Sequence, residues 1–89
     1  MKMKLSKHFL ERWRERVRRA APDASEVEEM INDAVYLQRC RDFFTPRGVR
    51  VRVLGLYWVP HENLVIKVDD KRSLAVTVLT PDTMDEEVD

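Results

Sequence analysis

The fold is decided by two short apolar runs and the turn between them, residues 64–69 (LVIKVD), 70–73 (DKRS) and 74–80 (LAVTVLT). Both runs are rich in β-branched residues and end at charged residues or proline, which is typical of strands. Two strands joined by so short a connection lie side by side and antiparallel. The sequence therefore predicts a hairpin at the centre of a sheet.

Alternate residues of this hairpin form one apolar face, because successive strand side chains point to opposite sides of a sheet. The apolar set is Leu64, Ile66, Val68, Leu74, Val76 and Val78. We expect it to contact the helices. The other set is mixed, so it is either open to solvent or covered by a partner: Val65, Lys67, Asp69, Ala75, Thr77 and Leu79.

A further strand is predicted before the hairpin. Residues 49–53 alternate between valine and arginine, and residues 56–59 (LYWV) continue the strand after Gly55. The glycine interrupts the alternation and indicates a bulge or a bend. Residues 45–48 (TPRG) and 60–63 (PHEN) are turns by composition.

Apolar residues at helical spacing predict a first helix ahead of the sheet. Ser6 is suited to cap it, because its hydroxyl can accept from an early backbone N–H. Pro22 ends the helix at about Ala20 or Ala21, since the residue before proline avoids the α region. The predicted buried stripe is Phe9, Leu10, Trp13, Val17 and Ala20.

A second helix is predicted from the capping-box pattern of Ser25 and Glu28. Its buried face is Val27, Met30, Ile31, Ala34 and Val35. Its end is open, because residues 36–44 contain neither glycine nor proline. The helix either runs to about Cys40 or gives way earlier to a strand.

These elements predict one α+β domain over residues 1–80, with two N-terminal helices packed on one face of a three-stranded, or four-stranded, antiparallel meander. Residues 81–89 contain five acidic residues and little to bury, so a disordered tail is expected. The chain shows no apolar signal segment and no run long enough to cross a bilayer. A soluble, cytoplasmic protein without a membrane partner is therefore expected.

Charge is segregated along a chain whose formal net charge is zero. Residues 1–22 contain eight lysines or arginines against two acids, and residues 36–60 contain five arginines against one acid. Arginine presents a planar fork of donors to phosphate, so both segments are candidates for nucleic-acid binding. A solvated helix surface that pairs its own charges is the alternative for the first segment. The candidate nucleic-acid-binding residues are Lys4, Lys7, Arg16, Arg19, Arg39, Arg41, Arg47, Arg50 and Arg52.

Three side chains are candidates for catalysis. His8 lies one helical turn from Arg12, and an imidazole titrates near neutral pH, which suits a general acid or base. Lys67 is a candidate helper on the sheet. An ordinary exposed histidine is the simpler alternative for His8. The single cysteine, Cys40, leaves no pair for a disulfide or a cysteine-based zinc site, and no metal or cofactor is predicted.

Aromatic residues also suit nucleic acid. Tyr57 and Trp58 follow the arginine-rich strand and could stack on bases. Adjacent strand residues face opposite sides, however, so one of the two is expected in the core. Trp13 is expected in the core from its place on the helix.

The first helix carries His8, Glu11, Arg12 and Arg16, and the sheet ends with residues 75–80 (AVTVLT). With the acidic start of the second helix, this pattern resembles a group of small bacterial and phage-borne domains of unknown function. That group is related in shape to RelE- and BrnT-type toxin ribonucleases. The resemblance covers roughly residues 5–80. It implies two helices packed on an antiparallel sheet, and RNA cleavage by Arg, Lys and His side chains without a metal.

The leading functional hypothesis is a small RelE-like domain that binds RNA or another polyanion, with metal-independent ribonuclease activity left open. The alternative is a non-catalytic protein–protein interaction module that docks a protein partner or a second copy of the chain. Its segregated charge would then set the choice of partner.

Overall fold

The structure is a computed structural model that describes residues 2–17 and 19–86. Its two helices are α1 (Lys7–Arg16) and α2 (Ala24–Asn32), and a 3-10 helix spans Pro81–Glu86. Its strands are β1 (Lys4–Leu5), β2 (Val35–Gln38), β3 (Arg41–Phe44), β4 (Arg50–Val53), β5 (Gly55–Val59), β6 (Leu64–Asp69) and β7 (Leu74–Leu79). The α+β class is confirmed.

The main sheet is larger than the predicted meander and is mixed. Its strand order is β1-β7-β6-β5-β2, in which β1 runs parallel to β7 and the other neighbours are antiparallel. The antiparallel β5-β6-β7 meander is confirmed. The prediction of three or four antiparallel strands in all is wrong, because β1 and β2 each add one strand at an edge of the meander and β1 is parallel to its neighbour. A second, two-stranded sheet pairs β3 with β4.

The strand predicted across residues 49–59 is two strands that belong to different sheets. Residues before Leu54 pair with β3, whereas Gly55 begins β5 and pairs with Val68. Gly55 is buried, and a Cβ atom there would lie 3.2 Å from the ring of Tyr57 and 3.5 Å from the Val68 carbonyl oxygen. The glycine therefore marks a close backbone approach where the chain changes sheet.

Helix α1 begins as predicted and ends earlier. The Ser6 hydroxyl accepts from the Phe9 backbone N–H at 2.9 Å and donates to the Val76 carbonyl at 2.8 Å. The helix ends at Arg16, with Val17 as its C-cap, rather than at residue 20 or 21. Beyond it the chain folds over Trp13, whose indole N–H lies 3.2 Å and 3.1 Å from the carbonyls of residues 19 and 20.

Helix α2 starts earlier than predicted, and its end agrees with one of the two alternatives left open. Its capping box is formed by Asp23 and Glu26, not by Ser25 and Glu28, so the helix starts two residues earlier. It ends at Asn32, which settles the open alternative in favour of strands. β2 and β3 occupy most of residues 35–44, and exposed side chains there favour pairing at a sheet edge over a buried helical face.

The core lies between the helices and one face of the main sheet. Phe9, Trp13 and Val27 from the helices pack with a set of buried sheet residues: Tyr57, Val59, Leu64, Ile66, Val68, Ala75 and Val78. The predictions of Leu74 and Val76 on this face are wrong, because Leu74 pairs with Asp69 of the opposite face. Thr77 pairs with Lys67 while Ala75 pairs with the next residue, Val68, so Val76 is an extra residue and Ala75 takes its place.

The opposite face of the sheet is also buried in its centre, although the sequence left open whether solvent or a partner meets it. Val65, Lys67, Asp69, Thr77 and Leu79 are all buried there. Of the expected tail, residues up to Glu86 form the 3-10 helix, and residues 87–89 lie outside the described residues. No helix among the described residues is long and apolar enough to span a membrane.

Candidate functional site

The hairpin β3–β4, called the ribbon below (residues 41–53), stands apart from the main sheet and carries the second basic segment. Its register places Phe44 opposite Arg50 and Asp42 opposite Arg52. These four side chains share one face, because directly paired residues of two strands lie on the same side. The other face carries Arg41 and three apolar residues, Phe43, Val51 and Val53.

Both phenylalanines of the ribbon are exposed. Phe44 exposes 70% of its surface to solvent and Phe43 exposes 44%. Val49, just before β4, is also exposed. Arginines flank them on the sequence and across the strands: Arg39, Arg41, Arg47 and Arg50 are all exposed. A two-stranded ribbon thus presents aromatic rings and guanidinium groups to solvent together. Exposed apolar groups in such a cluster mark a contact surface.

One acidic residue of the ribbon holds three cations. The Asp42 carboxylate lies 2.6 Å from the Arg50 guanidinium and 2.6 Å from the Lys71 ammonium. Its other oxygen lies 3.1 Å from Arg52. Arg52 also bonds to buried Asp69 at 3.2 Å, and thereby connects the ribbon to the end of β6. The cluster contains three cations, Arg50, Arg52 and Lys71, and two carboxylates, so its formal charge is positive.

This arrangement changes the acidity of its central group. Hydrogen bonds from Lys71 and then Arg50 stabilise the carboxylate and hold the pKa of Asp42 well below its usual range. The hydrogen bond to Asp42 in turn raises the pKa of Arg52. Asp42 is therefore ionised at neutral pH, and it holds Arg50 and Arg52 of the ribbon in place.

Replacing Asp42 by asparagine is expected to change how stability depends on pH. A depressed native pKa adds stability above the unfolded value, about 4, and that stability is lost as the pH falls toward the native pKa. The free energy of unfolding of the wild type should therefore exceed that of Asp42→Asn by a constant amount above about pH 5. This difference should become smaller below about pH 4. Urea unfolding at several pH values measures it. A difference that does not change with pH would contradict the ion pairs.

Two buried polar atoms on the main sheet have no hydrogen-bond partner among the described residues. They are the second carboxylate oxygen of Asp69 and the hydroxyl of Thr77, both on the sheet face away from the helices. Buried polar groups are normally satisfied. Lys67 is buried on the same face, with 6% of its surface exposed, and is paired with Thr77 across the strands.

The structure separates the three residues predicted to be catalytic. His8 is exposed on α1, and Arg12 on the same helix bonds to Glu15 at 2.9 Å. The helix covers the sheet face that carries Ile66, whereas the next residue, Lys67, points to the opposite face. His8 and Arg12 are thus together, and the sheet lies between them and Lys67.

Two candidate nucleic-acid-binding residues of the first basic segment, Arg16 and Arg19, contact groups within the domain. Arg16 donates to the Val78 carbonyl at 2.9 Å, alongside β7. Arg19 is paired with Glu62, and its guanidinium lies 5.2 Å from the centre of the Trp13 ring. Lys4 and Lys7 are exposed at the start of the domain. These contacts agree with the alternative of a helix surface that pairs its own charges.

Arg19, near the end of the first basic segment, and the ribbon lie at different ends of the main sheet. Arg19 meets Glu62 in the turn before β6, whereas Arg52 meets Asp69 at the end of β6. Six residues of strand span about 17 Å. Arg19 is therefore separated from the ribbon, and the ribbon, with its exposed arginines and phenylalanines, is the stronger of the two candidate sites.

Phe43 and Phe44 are functional candidates that the sequence analysis missed. They lie in the segment whose secondary structure was ambiguous, so the faces they occupy could not be assigned. Their position between Arg41 and the turn at residues 45–48 was the available signal. Of the aromatic pair that was predicted, Tyr57 is in the core and Trp58 is half-buried on the other face, as expected for neighbours in a strand.

In the part of the chain that the structure describes, no group of three or more His, Cys, Asp or Glu side chains is placed to hold a metal ion. Comparisons with protein-family models, curated proteins and solved structures found no match to this chain. The proposals below therefore depend on the geometry and chemistry of the chain itself.

Proposed function

We propose that this chain binds single-stranded RNA through the ribbon. The observation that carries the proposal is the exposure of Phe43 and Phe44 among the arginines of a two-stranded sheet. Proteins that bind single strands combine cations along the backbone with aromatic rings on which bases stack. The ribbon offers both within one hairpin.

The placement of charge supports a phosphate ligand. Residues 36–60 contain five arginines and one acid, and that acid, Asp42, is already surrounded by cations. Exposed Arg41 begins β3, and exposed Arg47 lies in the turn that follows the two exposed phenylalanines. Phosphates at the spacing of a nucleic acid strand can contact these guanidinium groups while neighbouring bases reach the rings.

The proposal is for binding rather than cleavage. His8 and Arg12 lie on the helix side of the sheet, whereas Lys67 lies on the opposite face. A general acid or base has to come within hydrogen-bond reach of the proton that it transfers. His8 and Lys67 therefore do not meet at one reacting group, and the proposal assigns neither a proton transfer.

Salt dependence tests the proposal. A fluorescently labelled oligouridylate of about 12 nucleotides, within the usual site sizes, should bind in anisotropy titrations at low salt. If about four phosphates are contacted, the logarithm of the association constant should fall with a slope near −3 against the logarithm of salt concentration. Absence of binding at about 25 mM salt, or binding that salt does not weaken, would overturn the proposal.

A pair of charge reversals makes the same test specific to the ribbon. Arg47→Glu changes an exposed residue in the turn of the ribbon, and Arg14→Glu makes the same change on exposed α1. Both alter the net charge equally. Arg47→Glu should weaken binding clearly more than Arg14→Glu, and equal losses would indicate attraction to the whole chain rather than a site.

A second candidate function is a protein interaction module. The edge strand β2 favours it, because Val35, Tyr36 and Leu37 each expose about half of their surface. An exposed apolar edge is a site where another strand can add to a sheet. This function requires no RNA affinity, so binding that fails at low salt while the chain self-associates in sedimentation would favour it.

A further inference from the structure

A cavity of about 590 Å³ opens between α2, β2 and β5. Its apolar part is formed by Met3, Ile31 and Ala34. Its volume is in the range of small-molecule sites, which are mostly apolar with a few convergent polar groups. The proposed RNA surface on the ribbon does not use these residues.

The polar part of the cavity centres on two tyrosines and a carboxylate. The hydroxyl of Tyr57 lies 2.8 Å from the Tyr36 hydroxyl and 2.9 Å from Oδ1 of Asp70. A hydroxyl has one proton, so Tyr57 can donate to Asp70 and accept from Tyr36. The two rings lie 4.5 Å apart at 41°. Burial, followed by the contacts with Tyr36 and Asp70, raises the pKa of Tyr57, which keeps this hydroxyl a donor.

A second carboxylate lines the same cavity. One oxygen of Glu28 accepts from the backbone N–H of Met3, and Tyr57 occupies one oxygen of Asp70. Each carboxylate therefore has a second oxygen for another donor. Among the described lining residues there is no lysine, arginine or histidine, so the cavity has a formal charge of −2.

We propose that this cavity binds a small organic amine in its ammonium form. The two carboxylates attract the ammonium group, and the apolar wall accommodates a hydrocarbon stem. The Arg39 guanidinium lies 5.5 Å from the centre of the Tyr36 ring, so the lining together with Arg39 keeps a formal charge of −1. An anion would be repelled. The arrangement is suited to an ammonium rather than a metal ion, because the described residues include no group of three metal-ligating side chains.

Phenethylamine is a suitable probe, with 2-phenylethanol and 3-phenylpropanoate as neutral and anionic analogues. Titration of the full-length chain, followed by the aromatic NMR signals of its tyrosines, should show saturable binding of the amine with a Kd on the order of 1 mM. The alcohol should bind more weakly and the carboxylate not at all. Equal binding of amine and alcohol, or no saturation by the amine, would overturn the proposal.

Matched variants locate the binding. Glu28→Gln and Asp70→Asn each keep an oxygen for the existing hydrogen bond and remove one charge. Each should weaken amine binding roughly tenfold or more, because a hydrogen bond to a charged group is lost. Glu29→Gln, on the same helix but outside this cavity, should bind like the wild type. If Glu28→Gln and Asp70→Asn both bind the amine as tightly as the wild type does, the amine does not bind in this cavity.

Discussion

Replacing Trp13 by alanine is expected to destabilise the domain by roughly 3–5 kcal/mol, which is the usual cost of removing a buried aromatic side chain. Trp13 exposes 1% of its surface, so nearly the whole side chain would leave a cavity behind. In a domain of this size, such a loss should lower Tm by about 15 °C or more.

Several contacts of Trp13 add to the effect of its burial. Its ring lies 5.9 Å from that of Phe9, and its indole N–H bonds to the carbonyls of Arg19 and Ala20. These bonds hold the segment after α1 against the helix. Removal of the ring therefore also leaves two backbone carbonyls without their donor.

Trp58→Ala and Trp13→Phe are the controls for this prediction. Trp58 is half-buried, so its replacement should cost less than that of Trp13. Trp13→Phe keeps an aromatic ring in the core, so its Tm should lie between that of Trp13→Ala and that of the wild type. Thermal unfolding followed by circular dichroism measures all three. A Tm for Trp13→Ala close to that of the wild type would contradict the placement of α1 on the sheet.

Replacing Phe43 and Phe44 together by alanine is expected to weaken RNA binding by at least tenfold. Base stacking on an aromatic ring contributes about 1–3 kcal/mol per base, and the ribbon exposes two rings. A loss of about 1.4 kcal/mol is already a factor of ten. Anisotropy titrations of the labelled oligouridylate measure this change at constant salt.

The same variant is expected to fold normally, because replacements of exposed side chains usually alter stability by about 0.5 kcal/mol or less. Phe44→Tyr keeps a ring that can stack, so it should retain most of the affinity. Unchanged affinity after loss of both rings would show that RNA, if bound, is held by charge alone. If Phe44→Tyr loses as much RNA affinity as the double alanine variant does, the phenylalanine acts through packing within the ribbon and not through stacking on a base.

Periodicity predicted the parts of the fold that have regular, one-sided burial. The β5-β6-β7 meander and the start of α1 follow directly from it. The alternation failed at Val76, because a bulge moves Ala75 into the core and alternation alone does not reveal a bulge. It also missed β1, since two residues, Lys4 and Leu5, are too few to establish a period.

The ribbon shows which features of a site the sequence can reveal. Its arginines were predicted from segment charge, which needs no structure. The position of Asp42 among three cations depends on Lys71, which lies 29 residues away, and on the pairing of β3 with β4. Phe43 and Phe44 lie in a run without periodicity, so only the strand pairing assigns them to opposite faces.

The central claim is that RNA binds the ribbon, and backbone NMR of the isotope-labelled chain tests it most directly. Unlabelled oligouridylate is added at low salt while the amide signals of residues 39–53 and of α1 are followed. Shifts concentrated on residues 39–53, with α1 unchanged, are the predicted result. Shifts concentrated on α1, or no shifts on the ribbon while RNA binds, would contradict the account.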